Sequence, residues 1–323
     1  MVLGAGSFVV SLDFELYWGM RDVVSLDDYR AHLEGVHEAV PRMLDLFERY
    51  GVHATWATVG LVFAENQDEA RAFAPTLRPG YDDPGLSPYG DLDRPGLDRD
   101  AACHFAPRLV RQIVQTPHQE LATHTFAHFY CDEPGQDEAQ FEADLDAAVS
   151  IATARGIELR SLVFPRNQVN RSYLRVLPRK GITAYRGVPP RWALRRGSGR
   201  LDVLARRGVR LADNYLRVTG PRTAPAVAEG TPVDLPGTRF LRPLASRLRR
   251  LEPAKEARIR GEMHHAAEAG HTYHLWWHPH NFGREPTENL AMLERLLEHA
   301  RRLKYSHGWQ SRTMAELAEH VCR

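Results

Sequence analysis

The chain is poor in cysteine: three in 323 residues, Cys103, Cys131 and Cys322. They are far apart and odd in number, which argues against a disulfide framework and makes a reducing cytoplasm the expected compartment. No run of 18 apolar residues occurs, so no membrane-spanning helix is expected. The first residues, Met1 to Gly6, lack a positively charged stretch. The apolar run Phe8–Leu12 is too short for a secretory signal and ends in Asp13 and Glu15. Charge of one sign is also missing. Lys+Arg is 42 and Asp+Glu is 41, a net of +1, so the basic excess of a general nucleic-acid binder is absent. No internal repeat is visible. What remains is ordinary globular material, 43% hydrophobic and 26% charged, enough for one sizeable core.

Periodicity along the chain predicts alternating strands and helices. Phe8–Leu12 reads as a buried strand. A helix capped at Ser25 or Asp27 runs to Tyr50, with Tyr29, Leu33, Val36, Val40, Leu44 and Phe47 at three- and four-residue steps, a kink at Pro41 and a stop at Gly51. Further strands are expected at His53–Val59, Glu120–Thr123, Ser161–Phe164, Ile182–Arg186 and Thr272–Trp277. Helices are expected at Pro107–Gln115, Asp137–Arg155, Arg171–Arg179, Glu262–Ala269, Thr287–Leu303 and from Thr313. Two regions, about 64–118 and 187–257, break the pattern with Pro-Gly steps or an excess of arginine and read as irregular insertions. The alternation argues for an α/β fold with a largely parallel sheet or barrel, in one domain over 1–323.

Four clusters at predicted strand ends carry chemistry-bearing side chains. Asp13 and Glu15, two apart on a strand, project to one side, and such a pair can divide labour between metal and proton. His124 and His128 are spaced so that a turn brings both rings to one metal. With 16 histidines in the chain, roughly 0.7 such pairs arise by chance, so the spacing alone decides nothing. Phe164-Pro165-Arg166-Asn167 ends a strand at a proline and presents an arginine suited to a carboxylate or an acidic substrate group. In His274-Leu275-Trp276-Trp277-His278-Pro279-His280, alternation puts His274, Trp276 and His278 on one face and Leu275 and Trp277 on the other. The tryptophans fit a core, or a platform for sugar rings.

The order of these clusters resembles the polysaccharide deacetylase (NodB-homology, carbohydrate esterase 4) family, over roughly Phe8 to His320. The family's Asp pair, H-[ST]-x-x-H, Arg/Pro motif and L-x-x-H match Ser11-Leu12-Asp13-Phe14-Glu15, His124-Thr125-Phe126-Ala127-His128, Phe164-Pro165-Arg166-Asn167 and Leu275-Trp276-Trp277-His278. The resemblance implies a distorted (β/α) barrel forming a single catalytic domain. It also implies a divalent metal, usually Zn²⁺, and hydrolysis of an N-acyl amide on an amino sugar. By position, His124 and His128 become metal ligands, Asp13 the general base, His278 the general acid and Leu275 a residue lining the acyl pocket. The family's second Asp falls on Phe14, which cannot ligate, so the metal carboxylate passes to Glu15, with Asp13 as its substitute. Arg166 becomes the residue holding Asp13. Arg166, Asn167, Leu275, Trp277 and His280 are the candidate substrate contacts. The alternatives are a deformylase or cyclic-imide hydrolase on the same scaffold, or a non-catalytic carbohydrate-binding protein.

With no export signal, the expected substrate is met inside the cell: a nucleotide-linked or lipid-linked amino sugar, or a small glycoside. Arg166 and the arginine-rich insertion are candidates for its phosphate. Phe240, Leu244, Leu248 and Leu251 recur at helical steps among Arg242, Arg247, Arg249, Arg250, Lys255 and Arg258. They predict a short amphipathic helix able to lie on an anionic membrane.

Overall fold

Strand β1 (Ser7–Phe14) divides its side chains between two cores. Phe8, Val10, Leu12 and Phe14 pack outward with the helices. Val9 packs inward with Ala57, Ala122, Val163, Ala184 and Val233, one small residue from each of five other strands. By alternation Ser11 and Asp13 share the inner side with Val9. The computed structural model describes residues 6–189, 213, 215, 223–226 and 230–323. The other strands are β2 (Ala54–Thr58), β3 (Gln119–Thr123), β4 (Ser161–Val163), β5 (Ala184–Arg186), β6 (Val233–Asp234), β7 (Arg239–Phe240), β8 (Tyr273–Trp277) and β9 (Gln310–Arg312). Their order is β6-β5-β4-β3-β2-β1-β8-β7, with β9 also on β1, and the strand pairings are parallel.

β6 and β7 stand at opposite ends of that order, yet only Leu235–Thr238 separates them in the chain. So short a link reaches at most about 17 Å, which draws the two edges together. The Leu235 amide bonds the Tyr185 carbonyl at 2.9 Å on one edge, and the Thr238 amide bonds the His274 carbonyl at 2.8 Å on the other. The sheet therefore curls into the distorted barrel expected from the sequence. Thr313, with Glu316, forms a capping box that starts the helix Met314–Cys322. Met314, Leu317 and Ala318 plug one end of the barrel. The Met314 amide bonds Thr55 Oγ1 at 2.8 Å and the Ala315 amide bonds Glu120 Oε2 at 3.2 Å inside it. The open end is where the strands finish, the usual place for chemistry in such folds.

Several expectations are corrected. The helix expected from Ser25 to Tyr50 is two helices, Leu26–Glu34 and Val36–Tyr50, broken at Gly35. The second runs through Pro41. The break lies at Gly35 because the backbone of Gly283 crosses there: a Cβ on Gly35 would sit 2.0 Å from the Gly283 carbonyl oxygen. Arg171–Lys180 is 3-10 helix, not α-helix. The helix expected at Glu262 begins ten residues earlier, at Glu252. The amphipathic helix expected over Phe240–Ile259 does not form as one unit: Phe240 ends β7, Ser246–Leu251 is 3-10, and α-helix starts at Glu252. Two of its expected surface cations, Lys255 and Arg258, are buried in ion pairs. The first insertion is built of short helices between Gln67 and Gln115. The second lies partly outside the described residues.

Replacing Gly35 by Ala should lower stability by roughly 1–3 kcal/mol, the usual cost of overpacking against backbone. Urea unfolding should show a lower midpoint at unchanged slope.

Candidate active site

Glu15 immediately follows β1, and its buried carboxylate meets two histidines from the loop after β3. Glu15 Oε2 lies 3.3 Å from His124 Nε2 and 3.1 Å from His128 Nε2. His124 Nδ1 is 2.7 Å from the Val163 carbonyl oxygen. A carbonyl only accepts, so Nδ1 carries a hydrogen and Nε2 is the nitrogen turned to the carboxylate. Burial pushes the His128 pKa down, which favours its neutral ring. The three residues form a group that could hold a metal ion, and their two nitrogens and one carboxylate are a donor set suited to zinc.

Asp13, one turn of the pleat before Glu15, is held differently. Arg186, the last residue of β5, grips it with two hydrogen bonds, Nη1 to Oδ1 at 2.6 Å and Nη2 to Oδ2 at 2.7 Å. Burial alone would raise the Asp13 pKa, but the charge and hydrogen bonds of Arg186 outweigh it and hold the carboxyl below its ordinary value. Arg186 is itself fixed on several sides. It donates to Ser11 Oγ at 3.0 Å and to Asn167 Oδ1 at 3.2 Å, and its Cζ lies 4.1 Å from the ring centroid of Trp276. Ser11 in turn bonds His274 Nε2 at 2.8 Å. Burial, with repulsion from Arg186, pushes the His274 pKa down to about 3, so this ring is neutral. His278 Nε2 stands 3.7 Å from Asp13 Oδ2 and 3.6 Å from Glu15 Oε1, at the mouth, with a quarter of its side chain exposed (24%).

The structure thus brings Asp13, Glu15, His124, His128 and His278 together. It separates the expected substrate contacts. Leu275 and Trp277 lie wholly in the outer core, where Trp277 stacks on Phe282 and meets Phe47 edge-on. Strand alternation turns them away from the mouth, and on β8 it is Trp276 that offers surface there. Arg166 does not hold Asp13. It pairs with Asp22 and lies over the Tyr130 ring, so its expected positioning role falls to Arg186. Asn167 supports Arg186. His280 is buried behind His278, rings stacked with centroids 5.0 Å apart, and burial pushes its pKa down to about 3.

Strain collects around the cluster. Six described non-glycine residues have positive φ, and five of them flank it: Leu16, Thr125, His128, Arg166 and Asn167. Each such conformation costs about 1–3 kcal/mol and persists only where its surroundings enforce it. Asp144, on the helix Glu138–Thr153, enforces the histidine loop. Its buried carboxyl accepts the amides of Phe126 at 2.6 Å and Ala127 at 3.2 Å. Gly19 closes the other side, for a Cβ there would lie 2.1 Å from the Glu15 carboxyl carbon. Arg186, Asp144 and Gly19 escaped the sequence reading. The available signals were a charged residue ending a buried strand and an acid on the apolar face of a helix.

Among known families, the polysaccharide deacetylase model matches residues 23–185. That is half of the chain, including both loop histidines. The chain belongs to the polysaccharide deacetylase family. Solved structures resemble this polysaccharide deacetylase fold over nearly its whole length. A Mycobacterium smegmatis protein described as a polysaccharide deacetylase is 15% identical, with TM-score 0.59, covering 98% of this chain and 91% of that one. A Pseudomonas aeruginosa PAO1 protein so described is 16% identical, with TM-score 0.55, covering 98% and 90%. The PuuE allantoinase is 14% identical, with TM-score 0.56, covering 98% and 90%. At these identities the likeness is one of fold. No curated protein matches by sequence.

Asp144→Ala should cost roughly 2–5 kcal/mol, because it leaves two buried amides without an acceptor. Burial pushes the Asp144 carboxyl up from its ordinary 3.8 to about 7. Its contribution to stability is therefore full below about pH 4 and is lost as pH rises through about 7. Asp144→Asn, which stays neutral throughout, should flatten the dependence of the urea midpoint on pH across that window.

Proposed function

We propose that this member of the family is a zinc-dependent hydrolase that removes an N-acyl group, N-acetyl foremost, from an amino sugar. The observation that carries the reading is the convergence of Glu15, His124 and His128 on one point, with Asp13 and His278 beside it. A metal held by these three residues would supply a Lewis acid for the amide carbonyl and for the attacking water. Asp13, fixed and ionised by Arg186, accepts the proton of that water. His278 faces the same space from the end of the neighbouring strand β8 and, as general acid, donates a proton from Nε2 to the departing amine. Asn281 Nδ2 lies 3.4 Å from His278 Nδ1. Trp276, half-buried at the rim, provides an aromatic face for the sugar ring.

The three free cysteines favour an intracellular substrate. Among the described residues no helix is long and apolar enough to cross a membrane. A second reading, hydrolysis of a cyclic imide or ureide, is kept open by the likeness to an allantoinase. Product analysis separates them: acetate release supports the first, formate a deformylase, and ring opening without a released acid the second.

Two classes of variant should behave differently. Glu15→Gln, His124→Ala and His128→Ala should each lose zinc, read by metal analysis of the purified protein. Full occupancy in either histidine variant would remove it from the ligand set. Asp13→Asn and His278→Ala should keep zinc and lower turnover by roughly 10²–10⁴, the scale of a lost acid or base. Zinc loss confined to Asp13→Asn would exchange the roles of Asp13 and Glu15.

A further inference from the structure

We propose that Arg242 binds a phosphate group of the substrate, so that the amino sugar is a phosphate ester or diphosphate rather than a neutral polymer. This deepens the N-deacylase reading and rests on it. The argument begins with how the arginine-rich segment uses its cations. Arg239 is buried against Glu262, 2.6 Å away, and Asp213, 3.2 Å away. Arg258 is buried against Asp213 at 3.1 Å and Glu262 at 3.3 Å. Lys255 is buried against Glu252. Arg247, Arg249 and Arg250 are exposed, where water solvates them. Arg242 fits neither group. It is half-buried, and among the described residues no carboxylate pairs with it. Burial pushes its pKa below the ordinary arginine value. A cation withdrawn from water without a counter-charge is costly, and the cost is offset when an anion arrives.

Position indicates which anion. The Arg242 guanidinium lies over the ring of Phe240, Cζ to centroid 5.9 Å. Phe240 is the register partner of Trp276, with ring centroids 4.7 Å apart, and its centroid is 5.5 Å from that of His278. The cation therefore stands one aromatic ring from the side chain proposed to protonate the leaving amine. A sugar lying on the Trp276–Phe240 shelf with its amide at the metal cluster would extend a neighbouring substituent toward Arg242. The planar guanidinium fork pairs well with phosphate oxygens. A neutral polysaccharide would cover Arg242 and leave its charge unanswered. Nucleotide-linked and lipid-linked sugars share this phosphate chemistry.

The test begins with binding, independent of turnover. Zinc-loaded wild-type protein, Arg242→Gln, Arg242→Lys and the exposed control Arg249→Gln are titrated with pyrophosphate and with uridine 5′-diphosphate by calorimetry. Wild type and Arg249→Gln should bind alike, Arg242→Gln at least tenfold more weakly, and Arg242→Lys in between. Equal affinity of wild type and Arg242→Gln, both folded by circular dichroism, overturns the proposal. Turnover is then compared on N-acetylglucosamine 1-phosphate, UDP-N-acetylglucosamine, polyprenyl-diphosphate-linked N-acetylglucosamine in detergent, and methyl N-acetylglucosaminide. Wild type should prefer phosphorylated substrates, and Arg242→Gln should lose that preference through KM. The best substrate identifies nucleotide or lipid as the source. Deacylation of all four at equal efficiency by wild type overturns the phosphate site and leaves the N-deacylase reading intact. Arg242-dependent anion binding with no turnover of any N-acyl sugar supports the site and sinks that reading instead.

Discussion

The buried ion pair between Asp13 and Arg186 is the interaction on which the rest of the site depends. It spans the barrel interior from β1 to β5, and both partners are almost wholly removed from water. Taking two charges out of water costs several kcal/mol each, and only close, hydrogen-bonded geometry recovers it. That geometry is supplied from four directions: Ser11 on β1, Asn167 after β4, and His274 and Trp276 on β8. Ser11 and Trp276, on strands far from β5 in the sheet order, reach Arg186 only because the sheet is curled. The curl follows from the short link between β6 and β7, so a loop of four residues governs the environment of a carboxylate on a distant strand.

Glu15 experiences the same interior in another way. Asp13 has a permanent cation beside it, whereas Glu15 faces the ring nitrogens of two histidines whose loop is strained. Two carboxylates two residues apart thus acquire opposite chemistry. One is neutralised within the chain; the other faces two imidazoles in a group that could hold a metal ion. The strain that aims the histidines is sustained by Asp144, whose buried carboxyl is itself costly. Stability is given up in several small places around one cluster, the pattern expected where geometry serves chemistry rather than folding.

Charge elsewhere in the protein obeys a simple rule. Arginines that the fold buries are matched with acids on neighbouring elements, as Arg239 and Arg258 are with Asp213 and Glu262. Arginines left on the surface need no partner. The same rule explains why the segment after β7 reads as a membrane-seeking helix in one dimension and is not one in three. Lys255 and Arg258 turn inward to paired carboxylates while Arg247, Arg249 and Arg250 stay exposed, and Phe240, Leu244, Leu248 and Leu251 are spread over a strand end, the link after it and a 3-10 turn.

Much was legible from the chain alone. Alternating periodicities announced the parallel sheet. Asp13, Glu15, His124, His128 and His278 stood out because each lies where a strand ends, and strand ends meet at one mouth of such a barrel. The capping residues Asp137 and Thr313 marked helix starts because capping is local hydrogen bonding. The failures have a common cause. Arg186 lies 173 residues from Asp13 along the chain, and its place at the end of a buried strand does not say which carboxylate it meets. Asp144 breaks the apolar stripe of its helix because its partners, the amides of Phe126 and Ala127, come from another element. Leu275 and Trp277 were carried to the site by motif position, although strand alternation had already turned them away. Local sequence determined the elements and the side chains that could do chemistry. Which of those side chains meet, and which buried charges find partners, was decided by closure of the barrel, because pairing across its interior joins residues that no short-range pattern connects.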